Sequence, residues 1–187
     1  LYCAIAALIH PGDEVIYFEP CFDSYAPIVT LQGAVPVGIK LLPPTYGIDW
    51  DAVRDAVNER TRMIIINSPH NPSGAVLSDA DIAALQDIVA DTNIIILSDE
   101  VYEHVVFDQD IHRSMSRYDE LRERAVVVTS FGKTFHVTGW RIGYCVAPAA
   151  ITAEIRKIHQ FLMYCADTPM QYALAAMMET PNHYLNL

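Results

Sequence analysis

Several things are scarce in this 187-residue chain, and each scarcity excludes a class of protein. No apolar run approaches the roughly 18 to 20 residues that cross a bilayer as a helix, so the sequence offers no membrane span. Basic residues are few, 12 Lys and Arg against 23 Asp and Glu, for a net charge of −11. A nucleic-acid binder needs a basic stripe to displace counterions, and this chain has none to spare. There are four cysteines, Cys3, Cys21, Cys145 and Cys165, with no CxxC pair. Thiols scattered in this way read as buried groups of a reducing compartment, which places the protein in the cytoplasm. No internal repeat, low-complexity tract or linker interrupts the chain, so one domain spans residues 1–187. The opening residues lack a basic leader and a cleavage site. The chain does not begin with Met and opens in mid-helix, which suggests a piece of a longer protein.

What is present is a 52% apolar composition, enough for a real core. Short β-branched runs alternate with helical stretches. Strands are expected at 14–18, 35–39, 63–67, 94–97 and 125–129, and an edge or antiparallel strand at 141–146. Helices are expected at the N-terminus up to His10-Pro11-Gly12, at 24–32, at 51–58, after the Ser78 cap, and from about Thr152 to Met163. Continuous apolar strands separated by helices predict a three-layer α/β/α sandwich around a mostly parallel sheet. In such a sheet ligands gather beyond the carboxyl ends of the strands. Asn67, Asp99 and the segment Ser130 to Lys133 end three different strands, so polar groups converge on one rim.

Taken singly, these residues have ordinary readings. Lys133 could be a surface charge, Asp99 the N-cap of a following helix, Tyr102 and Phe22 packed aromatics, and Arg141 a surface charge beside Trp140. Two features of Lys133 point further. Phe131, Phe135, Val137 and Trp140 flank it, and desolvation among them would favour the neutral amine that attacks an aldehyde. Arg141 stands eight residues on and could anchor a phosphate. Gly132-Lys133-Thr134 also resembles the end of a nucleotide phosphate loop, but that loop needs glycine at 127, where the chain has Val127 in a strand. Asp99-Glu100-Val101-Tyr102-Glu103-His104 has no partner histidine at zinc-helix spacing, so no metal site is expected. Ser114 and Ser116 form no nucleophile elbow.

The segments Ser98 to Tyr102, Ser130 to Tyr144, Phe18 to Pro27 and Asn67 to Gly74 together resemble the class I/II aminotransferases, fold type I of the pyridoxal phosphate enzymes. The phrasing is most similar to the methionine, glutamine and kynurenine aminotransferase branch. The resemblance implies pyridoxal 5′-phosphate as cofactor, with Lys133 forming a Schiff base to it. Asp99 would meet the ring nitrogen and keep it protonated. Tyr102, sharing a helix face with Asp99, and Asn71 of the Asn-Pro-Ser-Gly loop would reach the ring oxygen. Asn67 would be a second polar contact, Phe22 would stack on the ring, and Ser130 and Arg141 would hold the phosphate. It implies amino-group transfer between an amino acid and a 2-oxo acid, and a homodimer with shared sites. It also implies that the family's Gly-Ala-Thr phosphate turn and small C-terminal domain lie outside the chain, so that the fragment alone would be inactive. Two rivals share the likeness: a carbon–sulfur lyase of the same fold, and the cofactor-sensing domain of a transcription regulator.

Overall fold

The computed structural model describes residues 1–180. In chain order its elements are α1 (Tyr2–Leu8), β1 (Glu14–Glu19), α2 (Tyr25–Leu31), β2 (Val35–Lys40), α3 (Trp50–Ala56), β3 (Thr61–Asn67), α4 (Asp79–Val89) and β4 (Ile95–Asp99). There follow α5 (Asp119–Arg122), β5 (Ala125–Ser130), α6 (Phe131–Thr134), β6 (Gly143–Val146), α7 (Ala149–Leu162) and α8 (Thr168–Met178), with 3-10 turns at Met115–Arg117 and Thr138–Trp140.

The six strands form one sheet in the order β2-β1-β3-β4-β5-β6. The first five are parallel, and β6 runs antiparallel to β5 at the edge. Side chains alternate across a strand with a period of two, and the two faces bury different cores. Ile16, Phe18, Ile64, Ile66, Ile96 and Val127 pack with Val53 of α3 and Ile82, Leu85, Ile88 and Val89 of α4. Val15, Tyr17, Met63, Ile65, Leu97 and Val126 pack on the other face with Ile5 and Leu8 of α1, Tyr25 and Val29 of α2, and Ile155 of α7. Helices therefore cover both faces, and the expected three-layer α/β/α sandwich is what forms. Both faces of β3 and β4 being apolar is what made these strands continuous hydrophobic runs.

Local chemistry sets the ends of α4. Ser78 accepts a hydrogen bond from the Asp81 N–H, and Asp81 Oδ2 accepts one from the Ser78 N–H at 2.7 Å, a reciprocal capping box. The other Asp81 oxygen accepts from Trp50 Nε1 at 2.8 Å, tying α4 to the start of α3. Helix α8, which apolar periodicity did not signal, buries Leu174 against Phe135 and Ile142 in a third, smaller cluster. Among the described residues no helix is long and apolar enough to cross a membrane.

Leu85 is fully buried, so Leu85→Ala in the full-length protein should cost about 2 to 5 kcal/mol of unfolding free energy. Removing the cap by Ser78→Ala should cost about 1 kcal/mol. Urea denaturation of the two variants checks both the size and the order of these effects.

Candidate active site

Strand alternation decides which way each rim residue faces. Asp99 continues the row of Ile95 and Leu97, the face covered by α1, α2 and α7, whereas Ser98 and Glu100 face the opposite core. Asp99 is 6% exposed. Its Oδ2 accepts a 2.8 Å hydrogen bond from the Tyr25 hydroxyl at the start of α2, and its Oδ1 accepts one of 3.3 Å from the Val101 N–H. Burial pushes the Asp99 carboxyl above the usual aspartate value, while the Tyr25 and Val101 hydrogen bonds pull the other way. Burial, and then the neighbouring carboxylate, pushes the Tyr25 phenol strongly upward, so it stays a donor. Tyr25 is a site residue that sequence reasoning passed over. The signal available was its place three residues after Phe22, in the turn that leads into α2.

The parallel register pairs Asn67 of β3 with Asp99 of β4. Asn67 Nδ2 donates to the Asp99 carbonyl at 2.8 Å, and Asn67 Oδ1 accepts from the Asn71 N–H at 2.7 Å. The Asn67 amide thus braces the rim internally and fixes where the Asn71 loop departs. That loop turns back at Gly74, whose φ of +77° favours a residue without a Cβ. Phe22 is 38% exposed and sits edge-on to Tyr25, ring centroids 5.7 Å apart.

Tyr102 is brought to Lys133, whose Nζ lies 5.6 Å from the centre of the Tyr102 ring. The helix expected to carry Tyr102 and Asp99 on one face does not form. Residues 101–104 are hydrogen-bonded turns, Glu103 N–H to the Glu100 carbonyl and Val105 N–H to the Tyr102 carbonyl. For the same reason Asp99 caps no helix. The apolar flank of Lys133 does not bury it either. Lys133 and Trp140 are exposed, while Phe131 and Phe135 turn toward Ile142 and Leu174. One turn of helix sends residues two apart to different sides, so apolar neighbours in sequence are not neighbours of the amine.

Ser130 caps α6, its Oγ accepting from the Gly132 N–H at 3.0 Å. Gly132 is closely packed, and a Cβ there would lie 3.0 Å from Thr138 Cα. The Thr138 hydroxyl donates to the Gly132 carbonyl at 3.0 Å, and Arg141 Nη1 donates to the Thr138 carbonyl at 3.0 Å. A chain of contacts therefore joins Arg141 to the turn bearing Lys133. Arg141 is exposed, with a left-handed φ of +56°.

On the opposite face Glu100, 1% exposed, accepts from the Ser98 hydroxyl and the Met115 N–H, each at 2.9 Å, and lies 2.9 Å from His112 Nε2. Glu103 accepts from the Thr129 hydroxyl at 3.0 Å. The ligand atoms of Glu100, Glu103 and His112 lie within 4.8 Å of one another. Linear spacing examined His104, whereas the fold delivers His112 from the far side of a loop. The hydrogen bonds described make this group a strut between β4 and the segment at Met115.

A mostly parallel α/β sheet with polar side chains beyond its carboxyl ends is an arrangement in which α/β folds bind ligands. The chain belongs to the aminotransferase class I and II family, whose model matches residues 1–186. It is 53% identical over 188 residues to a methionine aminotransferase of Escherichia coli (strain K12), covering all of this chain and 49% of that protein. The solved structure of an E. coli protein assigned a methionine aminotransferase function matches with a TM-score of 0.95 at 52% identity, over 98% of this chain and 49% of the other. That of N-succinyldiaminopimelate aminotransferase from Mycobacterium tuberculosis matches with a TM-score of 0.93 at 42% identity, over 98% and 48%. The chain spans about half the length of the curated relatives it matches.

The raised Asp99 value gives a signed prediction. In the cofactor-free full-length protein, the stability this group contributes is present below the ordinary aspartate range and is lost as pH rises through the raised value. Asp99→Asn should remove that component. Tyr25→Phe deletes a bond that lowers the value, so the loss should extend to higher pH, and it should cost about 1.5 to 3 kcal/mol where Asp99 is ionised. Urea denaturation across the acidic range reads this out, and parallel curves for the three proteins would contradict it.

Proposed function

We propose that the protein containing this chain is a pyridoxal phosphate-dependent aminotransferase, exchanging an amino group between an amino acid and a 2-oxo acid. The chain would supply the central part of its large domain, the rest of the site and the small domain coming from outside residues 1–187. The observation that carries the reading is Asp99, a carboxylate kept from water between Tyr25 and Val101 with its value raised by burial. Such a group is satisfied by a cationic partner, and a protonated pyridine nitrogen is one.

The other rim residues fit the same ligand. Lys133 offers an exposed amine beside Tyr102. Arg141 offers an exposed guanidinium fork, one nitrogen of which bonds the Thr138 carbonyl, suited to a phosphate. Phe22 exposes a ring to cover a planar ligand, and Asn71 and Tyr102 supply donors for a ring oxygen. Ser130 is a further phosphate contact through a hydroxyl that already caps α6. When bound, pyridoxal phosphate supplies an aldehyde for covalent attachment and a pyridinium that absorbs an electron pair. Lys133 Nζ would hold the aldehyde carbon and, displaced by the incoming amine, carry the proton that the donor Cα gives up. Asp99 would hold the pyridinium charge, and Tyr25 would keep Asp99 oriented.

The relatives named above are aminotransferases, which supports transfer over carbon–sulfur cleavage. The amino donor we propose is methionine, glutamine or an aromatic amino acid, with methionine supported by the relative at 53% identity. A homodimer is the assembly the family resemblance implies. The cysteines are all free thiols, which supports a cytoplasmic protein, although none is buried as expected: Cys3 and Cys21 are half-buried, and Cys145 and Cys165 exposed.

Borohydride reduction of the cofactor-loaded full-length protein should fix the cofactor to Lys133, and Lys133→Ala should abolish the adduct and the visible absorption. An adduct on Lys40 or Lys157 would contradict the assignment. Arg141→Ala should weaken cofactor retention about tenfold or more, and Arg141→Lys should recover part of it, since a point charge lacks the planar fork. Equal affinities by equilibrium dialysis would remove the phosphate role.

A further inference from the structure

His70 lies in the loop that carries Asn71 but takes no part in the chemistry described above. It is 8% exposed. Its backbone closes the loop, the N–H donating to the Ala75 carbonyl at 2.9 Å and the carbonyl accepting from the Gly74 N–H at 2.7 Å. Its Nδ1 lies 2.7 Å from Ser73 Oγ, and that same oxygen accepts from the Ala75 N–H at 3.2 Å.

These contacts favour one tautomer. A serine hydroxyl has one proton to give, and the acceptor facing that of Ser73 is His70 Nδ1. Nδ1 is then the ring acceptor, and the ring proton sits on Nε2. The opposite assignment would take this acceptor from the Ser73 hydroxyl and turn the Nε2 lone pair on the Pro20 carbonyl. Nε2 is buried, and among the described residues no acceptor meets it at full hydrogen-bond geometry. Burial pushes the ring below the ordinary histidine value and keeps it neutral, and the Pro20 carbonyl, in the loop after β1 that carries Phe22, is near enough to pull weakly the other way. Strands β1 and β3 are hydrogen-bonded neighbours, so the two loops leave the sheet side by side. A buried donor without a partner costs free energy that a small closure of the loops would recover.

We propose that His70 is a positioning residue that couples the Asn71 loop to the Phe22 loop, its Nε2–H bonding the Pro20 carbonyl once the loops close on the cofactor ring. This rests on the reading of the rim as a pyridoxal phosphate site. His70 touches neither cofactor nor substrate. It sets the spacing between a ring-covering aromatic and a ring-oxygen donor.

The test uses the full-length protein and pyridoxal phosphate itself. The imidazole ¹⁵N resonances of His70 should show protonation on Nε2 both with and without cofactor, and the Nε2 proton should move downfield on loading. Protonation on Nδ1, or an Nε2 proton unmoved by loading, would overturn the proposal. Glutamine can place an amide donor near the Nε2 position and asparagine an acceptor near Nδ1, so the two separate the ring's two bonds. His70→Gln should keep cofactor affinity within about twofold of wild type, whereas His70→Asn and His70→Leu should lose about tenfold. Equal losses in Gln and Asn, or a His70→Leu variant that binds like wild type, would leave His70 a packing residue. Should His70→Leu fail to fold, the Gln and Asn pair decides. A wild type that fixes no cofactor at Lys133 would sink the functional reading together with this one. A wild type that loads while every His70 variant loads equally would sink this one alone.

Discussion

A carboxylate taken out of water at the end of a parallel strand is the constraint around which this rim is built. Ionised and unpaired, Asp99 would cost several kcal/mol. Two donors, the Tyr25 hydroxyl and the Val101 N–H, offset part of that cost and leave the group raised above its ordinary value. The neighbouring elements then follow from holding Asp99 in place. Helix α2 begins at Tyr25, whose hydroxyl reaches Asp99 at the end of β4. The β3–β4 register sets Asn67 across from it, and the Asn67 amide passes the position on to Asn71.

The two faces of the sheet divide the labour at this strand end. On one side Asp99 is held by Tyr25 and Val101 and forms no ion pair among the described residues. On the other Glu100 is fully engaged by Ser98, Met115 and His112, and so anchors the irregular segment from 101 to 115 that holds Tyr102 near Lys133. Two adjacent acidic residues thus have opposite fates, because successive side chains on a strand leave on opposite faces. Lys133 and Arg141 lie on short, exposed elements fastened by Ser130, Thr138 and the close packing of Gly132, which positions them without burying them.

Much of the fold was legible because burial on both faces writes itself as uninterrupted β-branched runs. Met63 to Ile66 and Ile94 to Leu97 are such runs, and the Ser78 and Asp81 pair marks a helix start by its own hydrogen bonding. The edge strand expected at 141–146 forms at Gly143–Val146, antiparallel to β5. What escaped were features set by contacts distant in sequence. Asp99-Glu100-Val101-Tyr102 reads as a helix start, but Glu100 is drawn into its core by Met115 and His112, and turns result. The exposure of Lys133 depends on where α8 packs its neighbours, and α8 itself is too weakly patterned to be seen. Tyr25 meets Asp99 across 74 residues of sequence, a contact that no local pattern announces.

The account's central claim is that Asp99 is a buried carboxyl awaiting a cation, and its ionisation can be observed directly. Isotope-edited infrared spectroscopy of the aspartate carboxyls in the full-length protein, with Asp99→Asn to assign the band, would follow that one group through acidic pH. Without cofactor, Asp99 should remain protonated to higher pH than an ordinary aspartate, and addition of pyridoxal phosphate should shift its ionisation to lower pH. An Asp99 band that titrates at the ordinary position, or one that pyridoxal phosphate leaves unmoved, would contradict the account.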